Sequence, residues 1–241
     1  MQQAVIVTGG SNGIGKAIVE RLGSDGFHTL NLDRQPPGTL SVNERHISVD
    51  LLDTDTFVAV LAQIAKDYEV LHIVNNAGMV KPALIDSTSL HDMRLVAKLN
   101  IEAPLLLVQQ FLPAMRAKKY GRIVNISSRA ALGKQARSAY AASKAGLLGM
   151  TRTWALELAN DGITVNAIGP GPIATELFTA VNPPDSPRTL KILETIPVQR
   201  LGQPHEIAHA VSFFLDDRAG FITGQVLYVC GGMTVGLGTA A

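Results

Sequence analysis

The sequence has little of what marks a specialised class of protein. It carries one cysteine, Cys230, so no disulfide can form within the chain and the fold needs no oxidising compartment. Its 21 Lys and Arg against 20 Asp and Glu leave a net charge of +1, without the basic excess that phosphate-backbone binding requires. Nucleic acid is therefore not an expected partner. The six histidines show no paired ligand spacing, which argues against a metal site. No stretch approaches the ~20 apolar residues of a membrane span, and the opening Met-Gln-Gln-Ala-Val-Ile-Val-Thr has no positively charged leader pattern. The expectation is a soluble, cytoplasmic protein with no membrane partner. Low-complexity tracts, solenoid repeats and Gly/Ser linkers are also missing, so residues 1–241 read as a single domain.

What is present suits one large core: 241 residues, 46% hydrophobic and 17% charged. Short β-branched runs recur at 4–8, 28–33, 46–49, 71–75, 121–127, 163–168 and 225–229, with helical periodicity filling most of the gaps. That alternation builds a doubly wound α/β fold with a seven-stranded parallel sheet between two helical layers. Runs such as Val5-Ile6-Val7 are apolar on successive residues, as expected of strands covered on both faces. The stretch near 173–200 breaks the rhythm with Pro183, Pro184, Pro187 and Pro197, and reads as a lid holding a short helix around Leu190 and Leu193.

The first strand runs straight into Thr8-Gly9-Gly10-Ser11-Asn12-Gly13-Ile14-Gly15 and then a helix. Glycines allow a tight turn and a close approach of backbone to a pyrophosphate, whose charge suits the free N–H groups at a helix start. Asp33 ends the next strand, where a carboxylate can accept hydrogen bonds from an adenosine ribose.

With these features the chain resembles the short-chain dehydrogenase/reductase family, whose T-G-x-x-x-G-x-G motif is matched by Thr8, Gly9, Gly13 and Gly15. The match continues through Asn75-Asn76-Ala77-Gly78, Asn125-Ile126-Ser127-Ser128, Tyr140-Ala141-Ala142-Ser143-Lys144 and Pro170-Gly171-Pro172-Ile173-Ala174-Thr175. The resemblance implies a Rossmann-type single domain and hydride transfer between a nicotinamide cofactor and a secondary alcohol or ketone. It implies Asn100, Ser128, Tyr140 and Lys144 as the catalytic set. For the cofactor it implies Thr8, Gly9, Ser11, Asn12, Gly13, Ile14, Gly15, Asp33, Arg34, Asp50, Leu51, Asn76, Ala77, Gly78, Tyr140, Lys144, Pro170, Gly171, Ile173 and Thr175.

Tyr140 and Lys144 are four apart on a helix and share a face, so the ammonium is expected to draw the phenol pKa down toward working pH. Ser128 lies 12 residues before Tyr140, whereas Ser127 has the commoner spacing of 13; Ser128 is preferred as the second serine of the pattern. Asp33 would repel the 2′-phosphate of NADP and bind the free hydroxyl of NAD, with Arg34 as the counter-signal, so NAD is the expected cofactor and NADP the less favoured one.

Lys81, Arg129 and Arg137 are candidate substrate residues, Arg137 for a carboxylate or phosphate. The chain is also similar to NADPH-dependent 3-oxoacyl-[acyl-carrier-protein] reductases, although Asp161 stands where a basic residue is common in them; Lys118, Lys119 and Arg122 could form a basic patch. A non-catalytic nucleotide sensor or scaffold is the rival class, and the intact catalytic set argues against it. The runs 101–115 and 141–159 are apolar on more than one face, as suits either the core of a three-layer domain or a subunit contact, and the resemblance implies that these helices form the interface of a homo-oligomer, a tetramer or dimer.

Overall fold

The computed structural model describes residues 1–183 and 186–235, so Pro184 and Asp185 of the expected lid lie outside the described residues. Seven strands, β1 (Gln2–Thr8), β2 (Thr29–Asp33), β3 (Glu44–Ser48), β4 (Tyr68–Asn75), β5 (Gly121–Ile126), β6 (Ile163–Pro170) and β7 (Val226–Val229), form one sheet in the order β3-β2-β1-β4-β5-β6-β7. Every neighbouring pair is parallel. The expected runs fall on these strands within about three residues; β4 starts earlier because α2 (Thr54–Asp67) passes into it at Tyr68 with no loop.

The pleat sends neighbouring side chains of each strand to opposite faces. Ile6, Ile73 and Ile123 pack with Phe57 and Leu61 of α2, Leu107, Phe111 and Met115 of α4 (Ala103–Lys118), and Trp154 and Leu158 of α5 (Ser138–Leu158). Val5, Val7, Val74 and Val124 turn the other way, onto Ile18 and Leu22 of α1 (Gly13–Ser24) and Ile207, Val211 and Phe214 of α8 (Pro204–Leu215). In both layers these side chains are buried, and each fully buried one of this size contributes roughly 1.5–3 kcal/mol.

A further helix, α3 (Leu90–Ala97), passes through a π-turn at Lys98–Glu102 into α4. The resulting helical run Leu90–Lys118 is long and apolar enough to cross a membrane by length and composition, which the reading of apolar runs did not anticipate. Here it is a core helix, with Leu107, Phe111 and Met115 against the sheet. Among the described residues the expected lid holds two helices rather than one: α6 (Glu176–Val181) and α7 (Pro187–Glu194), the latter carrying the expected Leu190 and Leu193. Because β1 lies between β2 and β4, the chain leaves β1 and β4 in opposite directions, and a crevice opens at their carboxyl ends.

Candidate active site

The crevice is a cleft of about 910 Å³, floored by Gly9, Asn12, Gly13, Ile14 and Gly15 and walled by Asp33, Arg34, Asp50, Leu51, Asn76, Ala77, Gly78, Tyr140 and Thr175. Its floor depends on close packing. Gly9 and Gly13 have φ of +66° and +55°, and a Cβ on Gly15 would stand 1.9 Å from the Gly9 carbonyl oxygen. Asn76 closes the turn from β4: its Nδ2 donates to the carbonyls of Thr8 (2.9 Å) and Gly9 (3.0 Å). In return the Thr8 hydroxyl oxygen accepts from the amides of Asn76 and Ala77, both at 3.0 Å. Thr8 is itself buried, so it holds the wall rather than facing the cleft. The start of α1 has no side-chain cap at Asn12 and no acidic residue in its first turn, leaving its N–H groups and dipole for an anion. This backbone cradle fits the pyrophosphate of a dinucleotide.

At the other end Asp33 is half-buried, and each carboxylate oxygen accepts one backbone amide: Oδ2 from Ser11 (3.2 Å) and Oδ1 from Gln35 (3.0 Å). Ser11 departs from expectation. It is 1% exposed, its hydroxyl donates to the Gln35 carbonyl (2.6 Å), and it holds Asp33 from behind instead of lining the cleft. Leu32, Gln35, Val49, Leu52, Leu99 and Glu176 also line the cleft and were not singled out from sequence; most flank a recognised motif residue, which was the available signal.

The reacting end is built from β5, the π-turn and α5. Lys144 is buried, with Nζ donating to the Ile126 carbonyl at 2.7 Å, and burial draws its pKa down to about 8. Asn100, on the π-turn, donates from Nδ2 to Met79 O (3.1 Å) and Ser143 Oγ (2.9 Å) and accepts from Met79 N (2.9 Å). A Cβ on Gly78 would lie 3.3 Å from both Lys144 Nζ and Asn100 Oδ1, so this glycine lets the β4 loop close over them.

Tyr140 differs from expectation. Burial raises its phenol pKa, opposed by a hydrogen bond from Ser128 and the positive field of Arg137. Lys144 Nζ lies 5.8 Å from the ring centroid and donates to the Ile126 carbonyl, and burial of the phenol outweighs the positive charge nearby. The two serines separate clearly. Ser128 reaches the Tyr140 phenol and accepts from Ala130 N, whereas Ser127 is buried and donates to the Lys144 carbonyl at 2.9 Å.

Three residues of the P-G segment stand behind the cleft. Pro170 ends β6, Gly171 packs where a Cβ would meet Cys230 at 2.8 Å, and Ile173 is buried in the core and bridges to Gly202. Thr175 does reach the cleft, with its methyl over Gly13 and its hydroxyl capping α6.

None of Lys81, Arg129 and Arg137 lines the cleft itself. Lys81 is exposed, Arg129 is half-exposed on the turn after Ser128, and Arg137 begins the helix one turn before Tyr140. The basic patch does not form: Arg122 is buried, Lys118 pairs with Glu69 (2.8 Å), and Lys119 with Asp161 (2.6 Å). Asp161 also takes Arg116 at 3.0 Å.

A family model described as enoyl-(acyl carrier protein) reductase matches residues 9–234. The chain is 35% identical over 236 residues to the 3-oxoacyl-[acyl-carrier-protein] reductase FabG of Escherichia coli (strain K12), covering 95% of this chain and 96% of that one. Among solved structures it is similar to the aldohexose dehydrogenase of Thermoplasma acidophilum in ligand-free form, with a TM-score of 0.91, 32% identity, and coverage of 100% and 97%. A putative NAD(P) dependent gluconate 5-dehydrogenase from Beutenbergia cavernae with bound NADP follows the same path, with a TM-score of 0.88, 34% identity, and 96% coverage of each chain.

Proposed function

The chain belongs to the short-chain dehydrogenase/reductase family of nicotinamide-dependent oxidoreductases acting on CH–OH or carbonyl groups, and from that premise we propose that it interconverts a secondary alcohol and a ketone with NAD. The observation that carries this reading is the convergence of Ser128, Tyr140, Lys144 and Asn100 at the end of the glycine-floored cleft. A bound nicotinamide supplies or accepts the hydride. Tyr140 passes the proton to and from the substrate oxygen, and Ser128 hydrogen-bonds that oxygen and the phenol. Lys144, cationic below its pKa of about 8, favours the negative charge that develops beside it. Asn100, anchored on Met79 and Ser143, holds the proton route behind Lys144.

Along the cleft, Gly9, Asn12, Gly13, Ile14 and Gly15 would hold the pyrophosphate. Asp50, Leu51, Asn76, Ala77 and Gly78 would line the adenine and ribose path, and Thr175 the nicotinamide end. The NAD preference rests on the Asp33 carboxylate, which occupies the ribose end with both oxygens held by backbone amides. The whole chain serves as one catalytic domain with the lid covering the substrate.

For the substrate, Arg137 favours an anionic group. Its Nη1 donates only to the neighbouring Ala136 carbonyl (2.9 Å), and it pairs with no carboxylate among the described residues. A second reading, NADPH-dependent reduction of 3-oxoacyl thioesters, is favoured by the similarity to the Escherichia coli reductase; the ion-paired Asp161 cluster speaks against a basic docking patch for an acidic carrier.

The test is initial-rate kinetics on hydroxy acids, neutral secondary alcohols and 3-oxoacyl thioesters with both cofactors, repeated on Tyr140→Phe and Arg137→Ala. Tyr140→Phe should lose about 10²–10⁴-fold in kcat, and Arg137→Ala should raise KM for acidic substrates alone. Wild-type turnover in Tyr140→Phe would end the mechanism. A strong preference for NADPH and thioesters would establish the second reading.

A further inference from the structure

Behind the cleft lies a polar network that the reaction itself does not use. Asn31, in the middle of β2, is fully buried, an expensive place for an amide unless every polar atom is paired. Its Oδ1 accepts from Gly10 N at 2.9 Å, and its Nδ2 donates to Ser11 Oγ (3.1 Å) and Glu44 Oε1 (2.7 Å). Glu44, at the start of the edge strand β3, uses its other oxygen to accept from Ser41 N at 2.7 Å. Ser11 then carries the linkage forward: its hydroxyl donates to Gln35 O (2.6 Å), and its amide donates to Asp33 Oδ2 (3.2 Å). Gln35 N completes the ring on Asp33 Oδ1 at 3.0 Å. Gly10 is shaped to this amide, since a Cβ there would lie 2.5 Å from Asn31 Oδ1.

We infer that Asn31 and Glu44 are positioning residues that set the choice between the two nicotinamide dinucleotides by clamping Ser11, and through it the Asp33 carboxylate, at the ribose end of the cleft. This inference rests on the proposed role of Asp33. The physical argument is one of degrees of freedom. A carboxylate discriminates a ribose hydroxyl from a phosphate only while it is held facing the ligand. Two backbone amides hold Asp33, and the loops that supply them are tied to each other and to β2 through Ser11 and Asn31. Replacing the Asn31 amide by an apolar group of the same size strands Gly10 N and the Glu44 carboxylate, and the Ser11 peptide loses its anchor. Asp33 then turns away under its own repulsion from a phosphate, and neighbouring Arg34, which also lines the cleft, is left to attract one.

The experiment is calorimetric titration of wild type, Asn31→Leu, Glu44→Gln, Asn31→Asp and the Asn31→Asp/Glu44→Gln double variant with NADH and with NADPH, alongside kcat at saturating cofactor. Loss of the clamp should lower the ratio of NADPH to NADH dissociation constants roughly tenfold, the effect of one charge-assisted hydrogen bond, with kcat unchanged. Asn31→Asp sets two carboxylates against each other and should show the same loss. The double variant restores an amide–carboxylate pair across β2–β3 but leaves position 31 with no proton to donate to Ser11 Oγ, whose own proton goes to Gln35 O, so the ratio should stay low. Should Asn31→Leu fail to fold, Glu44→Gln and the double variant carry the comparison. Wild type preferring NADPH would remove the role of Asp33 itself. Wild type preferring NADH, with an unchanged ratio in the folded variants, would overturn the clamp alone.

Discussion

Ser127 and Ser128 are adjacent, chemically identical and both next to a catalytic strand, yet the fold gives them different surroundings. The end of β5 points one side chain into the protein, where Ser127 ties the strand to the Lys144 carbonyl, and the other toward the phenol. Ser128→Ala should lower kcat with little change in melting temperature. Ser127→Ala, which removes a buried hydrogen bond, should cost about 1 kcal/mol of stability and leave kcat near wild type; steady-state kinetics beside thermal denaturation would show the reverse pattern if the assignment were wrong. Sequence spacing alone favoured the other serine, because it counts residues along the chain and is blind to which way a strand end faces. The raised phenol pKa of Tyr140 was unreadable too: the i, i+4 relation places Lys144 on the right face but says nothing of how deeply the phenol is buried.

Among the elements, the inner strands were readable because a parallel sheet covered on both sides demands runs of consecutive apolar residues, whereas the edge strands β3 and β7 are only half covered and carry a weaker signal. Helix α6 was not, since six residues with one capping threonine carry too little periodicity to register. The π-turn is also invisible in sequence, although it sets Asn100 facing Met79 and Ser143. Helices α4 and α5 are buried on one face and still present Leu105, Ala142, Ala145, Gly149 and Leu156 outward, the last 83% exposed. Small and apolar residues on two helices of one surface suit close packing against a second copy of the same surface. Sedimentation velocity should therefore give a dimer or tetramer for wild type and a shift toward monomer for Leu156→Glu. A monomeric wild type would refute self-association through these helices.

For the molecule as a whole, buried titratable groups make stability a function of pH. Lys144 has a folded pKa of about 8 against an ordinary 10.5, so between those values the unfolded chain binds more protons and unfolding becomes harder as pH rises. The slope attributable to it is at most about 1 kcal/mol per pH unit. Tyr140, held above 10, reverses the trend at higher pH, because there the folded state keeps the proton that the unfolded chain releases. His72 adds an acid limb: burial draws its pKa to about 4, so stability should fall as pH drops from 6.5 toward 4. Urea unfolding across this range should trace both limbs, and Lys144→Met should flatten the rise above pH 8; an unchanged slope in that variant would show that Lys144 is not its source.

The Thr8 hydroxyl, with its two amide donors from Asn76 and Ala77, carries a lesson about modularity. A strand–turn–helix unit with a glycine motif invites treatment as a portable cassette, to be grafted or expressed by itself. Here the turn takes its shape from partners 68 and 69 residues downstream. A fragment ending before β4 would keep every glycine and lose the clasp that closes the turn. In synthesis, too, the floor can close only once Asn76 and Ala77 have left the ribosome and β4 lies beside β1, so the glycine turn by itself is not a finished nucleotide site.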